Sequence, residues 1–113
     1  MVVVNLSAAL ICFLGSCYPA LVGVATPPGL FHLEQRSTVA HGYGGDVLLF
    51  KDEENGAFAI HRVINFNPDQ RRWQRIASPA PRDRVITDGC INVTAEVYEK
   101  LVDCCSTEDL LIQ

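Results

Sequence analysis

The sequence predicts a mostly β domain with one α-helix near its C-terminal end. Three observations support this fold class: short β-rich apolar runs alternate with turn residues, an Asn-Gly pair divides two of these runs, and only one segment has its apolar residues at helical spacing. The 113 residues, 49% of them hydrophobic, suffice for one hydrophobic core and leave no room for a second. We therefore expect residues 1–113 to form a single domain.

The N-terminal part is interpreted as a meander of strands. Its three apolar, β-rich segments are residues 2–5, 8–14 and 18–24. The sequence Thr26-Pro27-Pro28-Gly29 predicts a stiff turn, because each proline fixes its own φ and restricts the residue before it. Residues 30–34 then resume an extended pattern, with Phe31 and Leu33 on one face.

The middle of the chain predicts a β-hairpin. Residues 46–51 and 57–64 form its strands, and Glu54-Asn55-Gly56 forms its turn, since Asn-Gly supplies the positive φ angles that tight hairpin turns need. His61 lies on an apolar face of the second strand, so its ring nitrogens need partners from either the core or a functional site. Before the hairpin, three glycines surround Tyr43, which predicts either a flexible rim beside a site or a plain turn.

The last third contains a long polar segment and the helix. Residues 65–84 are proline-broken and are predicted to form a functional loop, with Trp73 as its anchor and its arginines in solvent. Residues 94–103 form the predicted helix, with Thr94 as its cap. For residues 106–113 we expect at most one more helical turn.

Composition excludes several classes of function. The net charge is −4 and the few arginines gather between Arg71 and Arg84, which argues against nucleic acid as the main partner. This local basic patch is suited to an anionic group on a smaller ligand. There is no C-x-x-C pair and only three histidines occur, so no structural zinc site is predicted. Of the five cysteines at least one must stay unpaired, and the adjacent Cys104 and Cys105 are expected not to bridge each other.

The first 24 residues are strongly apolar, which raises the question of an export signal. The start of the chain has no Lys or Arg, so no convincing signal peptide is predicted. The sequence Leu14-Gly15-Ser16-Cys17 leaves open an acylated, lipoprotein-like cysteine. Polar residues, glycines and a proline interrupt the run before it reaches membrane-spanning length, so no transmembrane span is expected.

The segment from Val85 to Val93 contains the main candidate for chemistry, Cys90. The thiol follows Gly89 at a junction between a strand and a turn, where glycine can take backbone angles closed to other residues. A buried packing cysteine is the alternative. If His61 is the base, a Cys90 thiolate can carry out acyl transfer, with the N–H groups of Gly89 and Cys90 as oxyanion hole and the carbonyl of Arg62 orienting the imidazole.

These residues resemble the signature of the YkuD-type L,D-transpeptidases. In that family a strand histidine precedes a segment Ser/Thr-His-Gly-Cys-apolar-Asn/Arg; here Ile60-His61 is followed by Thr87-Asp88-Gly89-Cys90-Ile91-Asn92. Val2-Val3-Val4-Asn5-Leu6-Ser7 resembles the family's first strand, and Ala25-Thr26-Pro27-Pro28-Gly29-Leu30-Phe31 resembles its Thr-Pro-x-Gly-x-Phe turn and strand. The matching pieces occur in the family's order over most of residues 2–103.

The resemblance implies a β-sandwich-like catalytic fold and a cysteine acyl-enzyme that acts on peptidoglycan stem peptides without a metal or organic cofactor. By position, Cys90 is the nucleophile, His61 the base and Gly89 part of the oxyanion hole. Three further residues match substrate-binding or site-shaping positions: Tyr43, Thr87 and Asn92. The implied substrate places the protein in the cell envelope or periplasm. The sequence leaves the oligomeric state open.

The sequence departs from the family's pattern at two places. Asp88 stands where histidine is usual, and a carboxylate beside the thiol tends to raise the pKa of Cys90. Residues 65–84 also lengthen the separation between His61 and Cys90. Two alternatives therefore remain: a cell-wall-binding domain that keeps the fold without the chemistry, and a plain β-rich domain in which Cys90 and His61 are core residues.

Overall fold

The computed structural model describes residues 1–54 and 56–113, and it confirms the mostly β fold. The strands are β1 Val2–Asn5, β2 Leu10–Phe13, β3 Ser16–Pro19, β4 Gly29–His32, β5 Glu34–Ser37, β6 Asp46–Glu53, β7 Gly56–Arg62, β8 Ile91–Val93 and β9 Asp109–Ile112. The helices are α1 Arg72–Ile76 and α2 Ala95–Cys105. One sheet has the strand order β3-β2-β1-β9-β4 and the other β5-β6-β7-β8.

The first sheet contains the predicted meander and one unexpected strand. Strands β1, β2 and β3 pair antiparallel in sequence order, as the N-terminal pattern indicates. β9 lies between β1, to which it is parallel, and β4, to which it is antiparallel. The expectation of a further helical turn in residues 106–113 is therefore wrong. Leu110 and Ile112 are buried on one face of β9, because the gap between β1 and β4 offers tertiary partners that local propensity does not reveal.

The second sheet brings the two candidate chemical residues onto neighbouring strands. β6 and β7 pair antiparallel, which confirms the predicted hairpin; Asn55 of its predicted turn lies outside the described residues. β8 pairs parallel with β7, and this register places His61 opposite Asn92. Cys90, the residue immediately before β8, is thereby placed near the His61 strand.

The two sheets share one hydrophobic core, which makes the fold sandwich-like. Both contribute fully buried residues, such as Ile11 and Leu110 from the first sheet and Ile60 and Ile91 from the second. Helix α2 confirms the predicted helix and packs Leu101 into the same core. Its first turn is capped as predicted, because Thr94 Oγ1 accepts a hydrogen bond from the N–H of Val97 at 3.3 Å.

The segment 65–84 is folded, in contrast to the predicted loop. It contains α1 and two short 3₁₀ turns, Pro68–Gln70 and Pro81–Arg84. Trp73 is 49% exposed and does not anchor the segment. Buried Arg84 does so: its guanidinium donates to the carbonyls of Ala8 at 2.8 Å, Ala9 at 3.2 Å and Ser78 at 2.6 Å. A planar group with several donors satisfies three carbonyls at once, whereas an indole has a single N–H.

The cysteines form two disulfides and leave one thiol. Cys12 and Cys17 lie directly opposite each other on β2 and β3 and are bonded, so the Cys17 thiol is not free for acylation. Cys104 and Cys105 are also bonded, so the expectation that neighbours would not bridge is wrong; the bond forms at the C-terminal end of α2, where the helical backbone ends. Cys90 keeps a free thiol. Neither helix of the described chain is long and apolar enough to cross a membrane.

Candidate active site

A cavity of about 260 Å³ lies beside the junction of β7 and β8. Its walls include Tyr43, Ala57, Phe58, His61, Ile64, Phe66, Arg72, Thr87, Asp88 and Cys90. Four of the residues predicted from the sequence, Cys90, His61, Tyr43 and Thr87, are therefore brought together. The other two, Gly89 and Asn92, are buried and do not line this cavity.

Gly89 occupies a position that no other residue fits without strain. Its φ is +138°, and an added Cβ would lie 2.1 Å from Cε1 of Phe58. The carbonyl of Gly89 accepts a hydrogen bond from the hydroxyl of Thr26 at 2.9 Å. The turn lies earlier than the one predicted over residues 26–29, because the N–H of Thr26 donates to the carbonyl of Gly23 and residues 26–28 have no turn of their own. Thr26 still supports the cysteine segment directly, although 63 positions separate it from Gly89.

Thr87 holds the turn that carries the thiol. Its hydroxyl donates to the carbonyl of Cys90 at 2.6 Å and accepts from the N–H of Gly89 at 3.2 Å. The Gly89 N–H expected in an oxyanion hole is thus donated to Thr87 in this structure. The assignment of Gly89 to the oxyanion hole stays a prediction.

Hydrogen bonds fix the orientation and tautomer of His61. Nδ1 lies 2.8 Å from the carbonyl oxygen of Arg62, which only accepts, so Nδ1 carries the proton. Nε2 faces Nδ2 of Asn92 at 3.3 Å. Arg72 donates to Oδ1 of the same amide at 2.8 Å, which turns the amide N–H₂ towards the imidazole. Nε2 is therefore unprotonated, as a general base requires, and in this structure its one lone pair accepts the N–H of Asn92.

The electrostatic surroundings keep His61 neutral. Burial lowers the pKa of His61, and the positive charge of Arg72 lowers it further, against the opposing effect of the hydrogen bond to the Arg62 carbonyl. The residue as a whole is only 4% exposed. At neutral pH we therefore expect an uncharged imidazole.

Cys90 rests as a thiol. Burial raises its pKa, and the carboxylate of Asp88 raises it further, as expected from the sequence; a backbone hydrogen bond with Ala59 and the charge of Arg72 act in the opposite direction. Sγ lies 3.9 Å from the carbonyl oxygen of Ala57. Among the described residues no hydrogen bond joins Sγ to His61. Hydrogen bonds between catalytic groups often form fully only when substrate is bound.

These pKa directions predict the pH dependence of thiol alkylation. Because only the thiolate reacts, the rate of Cys90 alkylation by iodoacetamide should rise with pH. The midpoint of this rise should lie at a higher pH than the midpoint for a free cysteine. Asp88→Asn should lower this midpoint by removing a nearby negative charge. Mass spectrometry of quenched time points measures the rate. A rate plateau that extends below pH 6 would contradict the prediction, since it would indicate a thiolate-imidazolium pair.

Arg72 has a place in the site that the sequence does not assign to it. The sequence predicts that the arginines of residues 65–84 lie in solvent, as a patch suited to an anionic group, whereas Arg72 lines the cavity and donates a hydrogen bond to Asn92. Its position follows from the packing of α1, which the proline-broken sequence did not reveal. The single available signal was the concentration of arginines close to the cysteine segment.

Tyr43 packs against His61 at the rim of the cavity, and Arg62 holds its backbone in place. The ring centroids of the two residues are 4.8 Å apart in an edge-to-face arrangement. Nη1 of Arg62 donates to the carbonyl of Tyr43 at 3.0 Å and to Oδ1 of Asp46 at 2.9 Å. Arg62 therefore supports the site twice, through its carbonyl on the imidazole and through its side chain on the rim.

The fold has counterparts among solved structures. No family model and no functionally curated protein matches the sequence. The fold is that of L,D-transpeptidases. The L,D-transpeptidase from Mycobacterium smegmatis aligns at 18% identity over 99% of this chain and 57% of its own, with a TM-score of 0.64.

Two further L,D-transpeptidases agree with this comparison. The L,D-transpeptidase from Xylanimonas cellulosilytica aligns at 16% identity over 99% of this chain and 59% of its own, with a TM-score of 0.62. L,D-transpeptidase 1 of Mycobacterium tuberculosis aligns at 16% identity over 99% of this chain and 60% of its own, with a TM-score of 0.53. The chain thus spans less than two-thirds of the length of these proteins, and the low identities establish a shared fold alone.

Proposed function

We propose that this chain is a cysteine acyltransferase of the L,D-transpeptidase type that acts on peptidoglycan stem peptides. The observation that carries the proposal is the placement of Cys90 and His61 on one cavity, with Nε2 of His61 unprotonated. The shared fold supports the substrate class. That substrate places the protein's action in the cell envelope or periplasm.

In the first step Nε2 of His61 exchanges the hydrogen bond that it accepts from Asn92 for one from the Cys90 thiol, and it takes the thiol proton as Sγ attacks a carbonyl carbon of the stem peptide. A C–S bond forms, the C–N bond breaks, and the departing amine takes the proton from Nε2. In the second step an acceptor amine attacks the thioester and gives its proton to Nε2. The C–S bond breaks, and the thiolate is protonated again from the imidazole.

The surrounding residues assist these proton transfers. The Arg62 carbonyl stabilises the transient imidazolium through Nδ1–H. Tyr43 and Thr87 line the cavity and are positioned to contact substrate. Asn92 is fully buried, so we assign it a positioning role on His61 in place of the expected substrate contact.

Intact-mass spectrometry with a carbapenem and with a synthetic stem peptide tests the proposal. We expect the unmodified protein to gain the mass of one acyl group and Cys90→Ala to gain none. The Cys12–Cys17 and Cys104–Cys105 disulfides are retained in both proteins, so Cys90 is the thiol under test. An adduct that persists on Cys90→Ala, or no adduct on the unmodified protein with either reagent, would refute the assignment.

A non-catalytic cell-wall-binding domain is the second candidate. The raised pKa of Cys90 and the carboxylate of Asp88 favour it, since both reduce the thiolate fraction. It predicts that purified wall material retains the protein equally well after Cys90→Ala, while the unmodified protein forms no adduct. A pure packing role for Cys90 is less well supported, because its side chain lines a cavity and is not fully buried.

A further inference from the structure

Two side chains of opposite charge line the candidate cavity, and neither forms an ion pair with another described residue. These are Arg72 and Asp88. Both act electrostatically on the thiol of Cys90, Arg72 lowering and Asp88 raising its pKa. Each charge is therefore close enough to influence a group bound at the sulfur.

Neutral acceptors hold the guanidinium of Arg72 in place. Its Nε donates to Oε1 of Gln70 at 2.9 Å, and Nη1 donates to Oδ1 of Asn92 at 2.8 Å. These amides fix the direction of the planar group without neutralising its charge. Its remaining N–H donors have no partner within the described residues, although the side chain is half-buried. A fixed guanidinium with free donors is the arrangement that best binds a carboxylate, through two parallel hydrogen bonds.

From this geometry we propose that Arg72 binds a carboxylate of the substrate next to Cys90. The inference rests on the proposed function and specifies its ligand: a stem peptide with one carboxylate on the Arg72 side of the sulfur. Asp88 disfavours a second anionic group on its own side of the cavity. The carboxylate belongs either to the peptide's C-terminus or to a side chain.

Measuring peptide binding to the Cys90→Ala variant tests this inference separately from catalysis, because that variant lacks the reactive thiol. Isothermal titration calorimetry would compare three synthetic tetrapeptides: one with only a C-terminal carboxylate, one with only a side-chain carboxylate at the third residue, and one with neither. We expect one carboxylate peptide to bind roughly 10- to 100-fold more tightly than the neutral peptide. The peptide that does so identifies the source of the carboxylate.

Variants in the same background test the role of Arg72. Arg72→Gln should remove the preference for the carboxylate peptide, whereas Arg72→Lys should retain part of it. Asp88→Asn should strengthen binding of the carboxylate peptide, because a repelling charge is lost. Arg71→Gln, at the exposed neighbour, is the matched control and should leave the preference unchanged.

Equal affinity for all three peptides, or no measurable binding of any, would overturn the inference. So would an Arg72→Gln variant that weakens all three equally, since that result indicates only support of Asn92 and His61. If the carboxylate preference is present but the unmodified protein forms no acyl adduct, the binding inference stands and the catalytic proposal fails. If Arg72→Gln does not fold, the effect of Asp88→Asn on carboxylate binding still tests the inference. Asp88 is exposed, so its replacement should leave the fold intact.

Discussion

Replacing Gly89 by alanine is expected to lower the free energy of unfolding by about 4 kcal/mol, as the sum of backbone strain and overpacking. At φ +138° an L-residue is strained whatever the space around it. The new methyl group would also meet the ring of Phe58, with its Cβ 2.1 Å from Cε1. Urea unfolding followed by circular dichroism measures the loss.

Gly56 offers a matched control for this substitution. It has nearly the same φ, +141°, but apart from its chain neighbours no described residue lies within 4 Å of its would-be Cβ. Gly56→Ala should therefore cost only the strain, about 2 kcal/mol. Shortening the neighbour with Phe58→Leu should restore part of the stability of Gly89→Ala. Equal losses at Gly89 and Gly56 would show that the contact with Phe58 contributes nothing.

Replacing His61 by glutamine is expected to reduce the rate of Cys90 acylation about 10²- to 10⁴-fold, the usual contribution of a general base. Glutamine keeps a donor for the Arg62 carbonyl but cannot accept the thiol proton at neutral pH. Stopped-flow measurement of carbapenem acylation gives the rate. His32→Gln removes an exposed imidazole that contacts Asp109 at the end of β4, and it should leave acylation unchanged.

The pH dependence distinguishes loss of the base from loss of structure. Above the pKa of the Cys90 thiol the base is no longer needed, so iodoacetamide should alkylate His61→Gln and the unmodified protein at similar rates. A deficit of the same size at every pH would indicate a damaged site. Acylation of His61→Gln at the unmodified rate would exclude His61 as the base.

The parts of the fold that local sequence predicts are those with strong local signals. The Thr94 cap and the helical spacing after it marked α2, and alternating apolar runs marked β1 and the β6–β7 pair. Strand β9 was not predicted, because residues 109–112 become a strand only through pairing with distant partners. The helix α1 was missed for a related reason: its few residues depend on buried Ile76 for their stability.

The candidate site was predicted in part. The cysteine motif pointed to Cys90 and His61, and the expected contact between His61 and the Arg62 carbonyl is confirmed. Local sequence could not reveal that Arg72 holds the Asn92 amide against the imidazole. That arrangement depends on how α1 packs through Ile76 against Leu21 and Val63. It also could not reveal that Thr87 receives the N–H of Gly89.

The pairing of β1 with β9 has a consequence for folding kinetics. The amino group of Met1 and the carboxylate of Glu108, 107 positions apart, meet at 2.8 Å beside this pair. Closing so large a loop is entropically costly before its contacts are made, and such long-range pairing slows folding. The β1–β3 meander and the β6–β7 hairpin are local and can form early. Until β9 arrives, β1 and β4 have open edges, so the refolding chain passes through a stage that is prone to pair with other molecules.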